Sequence, residues 1–181
     1  MFFQKLVYGV AVDQSRNSLE FLVGVTQALS ANSIVQSNLT YYTGHGYYSD
    51  PYKTLDTRPD RRRVTAWLTR YNQYVPAADA TLKLGYRLLF DSFGTNSNMV
   101  EAAWAQALPY GFTLTPLVRY YTQDAASFYF NPPFPRGFVE GQYYSADTRL
   151  AAFGALTGGI TVGKVLWDGW RMALRADYYQ Q

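Results

Sequence analysis

The connections between the segments of this chain alternate in length, and this alternation limits its folds more than any other feature. Turn-forming residues separate segments that switch between apolar and polar residues at every position. In order, the breaks fall at residues 13–18, 30–33, 44–62, 76–79, 92–98, 109–111, 123–147 and 166–169. Every second break is a tight turn, and the others are longer. If the segments are antiparallel neighbours, the longer connections all lie at one end of a sheet, which is typical of outer-membrane β-barrels with short periplasmic turns and long extracellular loops.

Alternation within the segments predicts β-strands. Between residues 80 and 90, Leu82 and Leu88 fall on one face of an extended chain, and Lys83 and Arg87 fall on the other. The same period of two recurs at residues 19–26, 112–121 and 170–178. A period of two is the period of a strand, so these segments are not amphipathic helices.

The direction in which the apolar face points separates a membrane barrel from a soluble sandwich or a lipocalin-like barrel. The segments run to about ten residues or more, which is enough to cross a hydrocarbon core, whereas strands of globular domains are usually shorter. We therefore predict that Leu82, Leu84, Leu88, Val118, Met172 and Leu174 face lipid. The opposite face is predicted to line a lumen with the basic residues Lys83, Arg87, Arg119, Arg171 and Arg175.

Aromatic residues gather at the ends of the segments. They are Tyr41, Tyr42, Tyr71, Tyr74, Phe90, Tyr110, Phe112, Tyr120, Tyr121, Trp167, Trp170, Tyr178 and Tyr179. Rings with an apolar body and a polar tip favour the level of the lipid headgroups, so these residues predict two aromatic girdles. The alternative is that tyrosine simply has a high propensity for strands.

Composition narrows the classes of protein further. The chain has no run of about 18 apolar residues, which excludes a helical membrane protein. Cysteine is absent, as suits a protein exported through an oxidising compartment. A formal net charge of +3 at pH 7 is too slight to indicate a nucleic-acid partner, and no cofactor is expected.

The number of segments predicts an incomplete barrel. We expect roughly nine strands, including a less regular one at residues 2–12, whereas single-chain bacterial barrels close with an even number. The start of the chain also lacks the pattern of a signal peptide. We therefore interpret residues 1–181 as a single all-β domain, a transmembrane antiparallel up-and-down β-barrel truncated at both ends. The alternative is a sheet that another subunit completes.

Several stretches carry a resemblance to a known family. They are residues 39–53 (LTYYTGHGYYSDPYK), 57–60 (TRPD), 86–94 (YRLLFDSFG), 119–129 (RYYTQDAASFY) and 144–153 (YSADTRLAAF). The chain resembles a bacterial family of uncharacterised proteins, domain of unknown function 3570, over nearly its whole length. Members of that family look like outer-membrane barrels and are longer than this chain. The resemblance implies fold and compartment, and it brings no catalytic residues with it.

The long loops contain candidates for metal binding and for catalysis. Asp50, Asp56, Asp60 and Asp147 are candidate calcium ligands, because calcium is bound by carboxylate and carbonyl oxygens; the alternative is that they form ordinary turns. His45 with Ser49 and Asp50 suggests a lipid hydrolase, but a catalytic triad needs a rigid frame rather than one crowded loop. We therefore predict no catalytic residues. A single histidine also does not make the multi-imidazole site that zinc or copper prefers.

Two further loop segments suggest partners. Arg61, Arg62 and Arg63 enter the predicted membrane from the loop side and are candidates to bind the phosphates of lipopolysaccharide, although exposure to solvent alone would also explain them. The segment at residues 128–136 (FYFNPPFPR) contains so many aromatic residues that it is expected to have a packing or binding role. We expect it either to fold into the lumen as a plug or to contact a partner.

These observations predict a porin-like protein of the Gram-negative outer membrane. The first hypothesis is a pore or transport channel whose basic lumen mildly favours anions. The second is a structural scaffold or sheath that docks or encloses another cell-envelope protein or subunit. An outer-membrane lipid-modifying enzyme is a distant third, and we expect that the protein is not an enzyme.

Overall fold

The computed structural model describes residues 14–53, 56–139, 141–167 and 169–181. Within them, the chain forms β1 (Arg16–Ser30), β2 (Ser33–Gly46), β3 (Arg61–Val75), β4 (Ala80–Asp91), β5 (Ser97–Leu108), β6 (Phe112–Gln123), β7 (Phe153–Val165) and β8 (Arg171–Gln180). Single 3-10 turns occupy Pro76–Ala78, Pro109–Gly111 and Thr148–Leu150. The strand predicted at residues 2–12 lies outside the described residues. In the described part, no helix is long and apolar enough to cross a membrane.

The strands form one antiparallel sheet in chain order. The described residues contribute eight strands to it, and each strand from β1 to β7 pairs with the next one along the chain. The connections at residues 47–60, 92–96 and 124–152 therefore share one end of the sheet, the loop end, and the short turns share the other, the turn end. This confirms the up-and-down order that the connection lengths predict.

The sheet is not closed among the described strands. Its edges are β1 and β8, and no pairing joins them. The strands contain 10 to 15 residues, as the predicted membrane-crossing length requires. The register also drifts steadily across the sheet: Trp67, in the middle of β3, lies beside Leu88, which lies beside Asn98 near the start of β5. A steady drift of this kind tilts the strands relative to the line of the turns, as strands tilt in barrels.

One face of the sheet is apolar across every described strand. The register places Leu39, Trp67 and Leu88 in one row, and Leu84, Ala102 and Val118 in another. We call this side the apolar face. Its side chains are uncovered, with exposed fractions of 53% at Trp67 and 51% at Val118. Soluble monomers rarely expose continuous apolar surface on this scale.

The opposite side, the polar face, carries charged and polar residues in the same strands. The row through Arg70, Gly85, Glu101 and Arg119 runs across four neighbouring strands. The alternation read from the sequence is therefore preserved by the register on both sides of the sheet. Because the side-chain period is two, a slip of one residue would have exchanged the two faces.

The buried hydrophobic cluster lies in the connections rather than between sheets. Phe93, Ala126, Phe128 and Leu150 form it, and all belong to the connections at the loop end. We call the connections at residues 47–60, 92–96 and 124–152 together the loop cap. The fold thus places a small folded core at one end of a sheet whose strands are otherwise open to their surroundings.

Candidate functional site: the polar face and its loop cap

The polar face contains more basic than acidic side chains. The register places on it the basic residues Arg16, Arg62, Arg70, Lys83, Arg87, Arg119, Arg171 and Arg175. The acidic residues on this face are Glu20, Asp91, Glu101 and Asp177. All five cations predicted for the lumen therefore lie on one side of the sheet, and Arg16, Arg62 and Arg70 join them there.

Some of these cations are held by carboxylates. Arg119 lies opposite Glu101 on the neighbouring strand, and its Nε–H donates to Glu101 Oε2 over 2.8 Å. Arg175 Nε donates to Asp177 Oδ2 over 2.8 Å. Paired charges of this kind nearly cancel at a distance. They add less to the field of the face than isolated charges do.

Other cations on the polar face have no carboxylate partner within the described ranges. They are Arg16, Arg70, Lys83, Arg87 and Arg171, against the one acidic residue of this face, Glu20, that forms no ion pair there. Lys83 and Arg87 are exposed on the same strand. The uncompensated charge of the described part of this face is thus positive.

A cavity of about 360 Å³ lies on this face near the loop end. Its lining comes from four strands, with Glu20 on β1 and Arg87 on β4 at its sides. Residues three strands apart border one cavity only if the sheet curls toward them. The polar face is therefore the inner side of the curl here.

The loop cap has a small aromatic nucleus. Phe93 is 2% exposed and packs edge-on against Phe128 and Tyr48, with ring centroids 5.1 and 5.6 Å away. Backbone hydrogen bonds tie the same connections together: the Ser127 N–H donates to the Phe93 carbonyl over 2.8 Å. Gly94 has φ of +92°, and an added Cβ would lie 3.1 Å from the Ser127 nitrogen, so this close approach requires glycine.

Asp147 is the charged centre of the cap. Its side chain is 1% exposed and accepts hydrogen bonds from Arg149, Lys53 and Arg58, at 2.9 Å for the Arg149 Nε and 3.0 Å for the Lys53 Nζ. The Arg149 guanidinium is the main cause that holds the pKa of Asp147 well below its usual range. Because Lys53 and Arg58 come from the first long connection and Asp147 from the last, this carboxylate joins the two.

The cap is attached to the polar face. Tyr48 Oη lies 2.9 Å from Tyr42 Oη on β2, and burial together with this hydrogen bond raises the pKa of Tyr48 to about 12. Arg62 donates from its Nε to both Asp91 oxygens and places its guanidinium carbon 5.0 Å from the centre of the Phe93 ring. These contacts hold the cap over the inner side of the sheet at the loop end.

An exposed aromatic group projects from the last connection. Phe134 stacks on Phe130 at 4.9 Å between ring centroids and lies 4.4 Å from Phe138, and Tyr144 packs edge-on against Phe138. Residues 131–137 are exposed throughout. The rings of this group pack on one another, and a plug or a partner contact at this segment stays a prediction. An exposed aromatic surface remains.

The predicted calcium ligands take other partners. The structure brings Asp50, Asp56 and Asp147 together, but Arg149 bridges Asp50 and Asp147, and Arg58 pairs with Asp56. Asp60 lies apart, 3.4 Å from His45. In the part of the chain that the structure describes, no three acidic or histidine side chains are grouped to hold a metal. Basic side chains occupy the carboxylate oxygens that a calcium ion would need.

The hydrolase arrangement is also not assembled. Ser49 Oγ accepts a hydrogen bond from the backbone N–H of Arg58 over 3.0 Å, whereas His45 Nδ1 approaches Asp60. A Ser–His pair for nucleophilic attack needs a direct hydrogen bond between the two side chains, and the contacts of Ser49 and His45 lead elsewhere.

The strands place neighbouring arginines, and neighbouring aromatic residues, on opposite faces of the sheet, although the sequence groups them together. Arg62 lies on the polar face and is held by Asp91, while Arg61 and Arg63 lie on the apolar face, so the three arginines do not form one phosphate site. Where two aromatic residues are adjacent in a strand, one member of the pair lies on each face. Tyr41, for example, lies on the apolar face, and Tyr42 lies on the polar face and contacts the cap. Alternation in a strand forces both divisions.

A family model confirms the resemblance. The model of the family described as Protein of unknown function (DUF3570) matches residues 3–181. The chain belongs to this family. Among curated proteins and among solved structures, none matches the chain. The roles of the site residues of this DUF3570 protein are therefore inferred from their geometry.

Proposed function

We propose that this protein is a pore or transport channel of the bacterial outer membrane. In this proposal the apolar face contacts lipid, the polar face lines a water-filled lumen, and the loop cap lies on the outside of the cell. The protein is not an enzyme, and it acts without a cofactor or nucleic-acid partner. The separation of the two faces across all the described strands carries the proposal.

Lipid contact accounts for the exposure of the apolar face. In water, a surface of this kind would drive aggregation, whereas in a bilayer it is solvated by acyl chains. Aromatic side chains occur near both ends of this face. Near the loop end are Phe21, Tyr41, Phe90, Tyr120 and Tyr178, and near the turn end are Tyr71, Trp104 and Phe112. Two such bands match the aromatic girdles of membrane barrels.

A hydrated lumen accounts for the polar face. Placing the charged side chains of Arg87 and Lys83 in hydrocarbon would cost free energy, whereas water stabilises them. Because the sheet curls toward this face at the β1–β4 cavity, closing the curl would place these side chains inside. Their uncompensated positive charge would raise the local concentration of anions and favour their passage.

The loop cap would narrow the outer entrance. Tyr42, Arg62 and Asp91 attach it to the lumen side of the sheet rather than to the lipid side. A folded nucleus at this position restricts the size of the solutes that enter. The cap therefore supplies the selectivity filter of the proposed channel, and the charged wall supplies its preference for anions.

Bilayer conductance tests this proposal. The purified full-length protein, reconstituted into planar bilayers, should produce discrete conductance steps, and a salt gradient should give a reversal potential of the sign expected for anions. The matched control is a preparation of the same protein denatured before addition. Conductance equal to that of the control would contradict the pore.

The exposed aromatic group favours a second candidate, a scaffold that docks or encloses another envelope protein. Phe134 is 42% exposed and packs against the half-buried Phe138, and aromatic residues are enriched at protein interfaces. A scaffold would be silent in bilayers and would retain a protein partner through these rings. Phe134→Ser should abolish that retention and leave conductance unchanged.

A further inference from the structure

Two arginines lie at the loop end of the apolar face and take no part in the ion pairs of the cap. Arg61 and Arg63 are separated by one residue on β3, so they share a side of the strand at a spacing of about 7 Å. Both are exposed. Across the residues that the structure describes, neither forms an ion pair.

A cavity of about 500 Å³ opens at these arginines. Its lining consists of Thr43, Gly44, His45, Arg61, Arg63 and Ser92. This volume falls within the range of about 300 to 1,000 Å³ that is typical of sites for small molecules. The lining offers two guanidinium groups, an imidazole and hydroxyl groups, which are donors suited to an oxyanion.

The arginines are carried by a fixed backbone. The Arg63 N–H donates to Ser92 Oγ over 2.9 Å, and the Ser92 N–H donates to the Arg63 carbonyl over 2.9 Å. On the other side, β2 pairs His45 with Arg61 and Thr43 with Arg63. The site therefore lies on strands that are paired on both sides, and only the long side chains need to adjust to a ligand.

Apolar side chains continue from the cavity toward the middle of the sheet. Tyr41 and Phe90 lie on either side of Thr65, the next residue of β3 on this face, and Trp67 follows it. Phe90 and Trp67 are 58% and 53% exposed. A ligand that fits the whole surface needs an anionic head at the arginines and an apolar tail along these rings.

We infer that Arg61, Arg63 and His45 form a binding site for the phosphate group of a membrane lipid, with its acyl chains packed on Tyr41, Trp67 and Phe90. The lipid is the phosphorylated glycolipid of lipopolysaccharide. Guanidinium forks match phosphate oxygens bidentately. The inference rests on the proposed function for lipid contact of the apolar face and for the position of the loop end outside the cell, and it excludes Arg62 from the site. Asp60, 3.4 Å from His45, is the one described acidic group at its border, and it opposes an anion there.

Binding of lipid A to the purified protein in detergent micelles tests the site. Removing each arginine, in Arg61→Gln and Arg63→Gln, should weaken binding about 10-fold, because each removes charge-assisted hydrogen bonds. Asp60→Asn should strengthen binding. The matched control is Arg171→Gln, an exposed cation on the polar face, which should leave binding unchanged.

Two further probes identify the source of the phosphate. Dephosphorylated lipid A should bind the unchanged protein as weakly as lipid A binds a double variant that carries both Arg61→Gln and Arg63→Gln. Inorganic phosphate alone should not compete at millimolar concentration. Effective competition by inorganic phosphate, or equal losses in Arg61→Gln and Arg171→Gln, would overturn the inference. These measurements report lipid binding, so a lack of conductance in planar bilayers would reject the pore without affecting the proposed lipid site. A double variant, Arg61→Gln with Arg63→Gln, that still conducts and still binds lipid A would reject the lipid site alone.

Discussion

Arg119 and Glu101 face each other on neighbouring strands, with the Arg119 Nε donating to Glu101 Oε2 over 2.8 Å. This pair leaves little net charge at its position on the polar face. Lys83 and Arg87, on the adjacent strand, have no carboxylate partner among the described residues. The structure thereby separates cations that set the net charge of the face from cations that are already compensated.

Selectivity should follow net charge rather than the number of arginines. Replacing both Lys83 and Arg87 by glutamine should lower the ratio of anion to cation permeability. Removing the Arg119–Glu101 pair by two glutamine substitutions should leave that ratio unchanged, because it removes one charge of each sign. Reversal potentials under a salt gradient measure both. The difference should shrink in concentrated salt, since screening acts over about 10 Å at 0.1 M. Equal effects of the two double variants would contradict a lumen lined by the polar face.

Leu84 and Gly85 provide adjacent positions on opposite faces. Leu84→Arg should impair folding into bilayers by about 2 to 4 kcal/mol, the cost of arginine on a lipid face near the midplane. Gly85→Arg should be milder, because a Cβ there would meet only Glu101 Cβ, at an ordinary 3.7 Å. Unfolding titrations in lipid vesicles compare the two. In a soluble protein, arginine at the 41% exposed Leu84 would be harmless, so the reverse ranking would reject lipid contact.

The strand order and both faces could be predicted from the sequence because their signals are local. Each strand repeats with a period of two, and each connection reveals by its length the end of the sheet to which it belongs. Alternation also determines the division between Arg61 and Arg62, and between Tyr41 and Tyr42. Grouping these neighbours by their place in the sequence overlooks that adjacent residues in a strand point to opposite sides, and the register accordingly separates them.

The loop cap could not be predicted in the same way. Asp147 meets Lys53 and Arg58 across most of the chain, and no local pattern signals such pairs. The residue type of the aspartates suggests calcium ligands, because carboxylates bind calcium. The arginines and the lysine that pair with them in the fold are distant along the chain or give no sign in the sequence of this pairing. Phe93 gives no sequence signal beyond its hydrophobicity.

Asp147 should make the cap sensitive to acid. A carboxylate whose pKa is lowered in the folded state stabilises the fold above its unfolded pKa of about 3.9, and that contribution is lost as the pH falls toward the lowered value. The Ser127 amide donates to the Phe93 carbonyl. Its protection factor, which corrects for the intrinsic pH dependence of amide exchange, should therefore stay constant between pH 7 and pH 5 and fall below about pH 4.

Removing this carboxylate should have the same effect at neutral pH. Asp147→Asn removes the buried carboxylate to which Arg149, Lys53 and Arg58 donate and leaves Arg58 with Asp56 as its charge partner. The cap should therefore lose about 1 to 3 kcal/mol and exchange quickly at pH 7. Asp124→Asn is the matched control, because Asp124 is exposed in the same connection and should change nothing. If the two variants exchanged alike, Asp147 would not be the centre of the cap.

Single cysteines should report the topology, since the chain has none of its own. A membrane-impermeant thiol reagent on intact cells should label Tyr52→Cys, at a side chain that is 95% exposed, and Ser127→Cys. Ser49→Cys should label more slowly, because the Ser49 hydroxyl is bonded to Arg58. Ala77→Cys, in the turn between β3 and β4, should react only after the cells are opened. Labelling of Ala77 with silence at Tyr52 and Ser127 would invert the orientation.

Spin-label accessibility along β4 distinguishes lipid from water on the two faces of the sheet. A nitroxide placed in turn at each position from 81 to 90 of the protein in vesicles should be relaxed by oxygen at even positions, which include Leu84 and Leu88. A water-soluble nickel chelate should relax it at odd positions, which include Lys83 and Arg87. These two oscillations in opposite phase would show lipid on the apolar face and water on the polar face. The opposite phase, or access of the nickel chelate to every position, would contradict lipid contact on the apolar face.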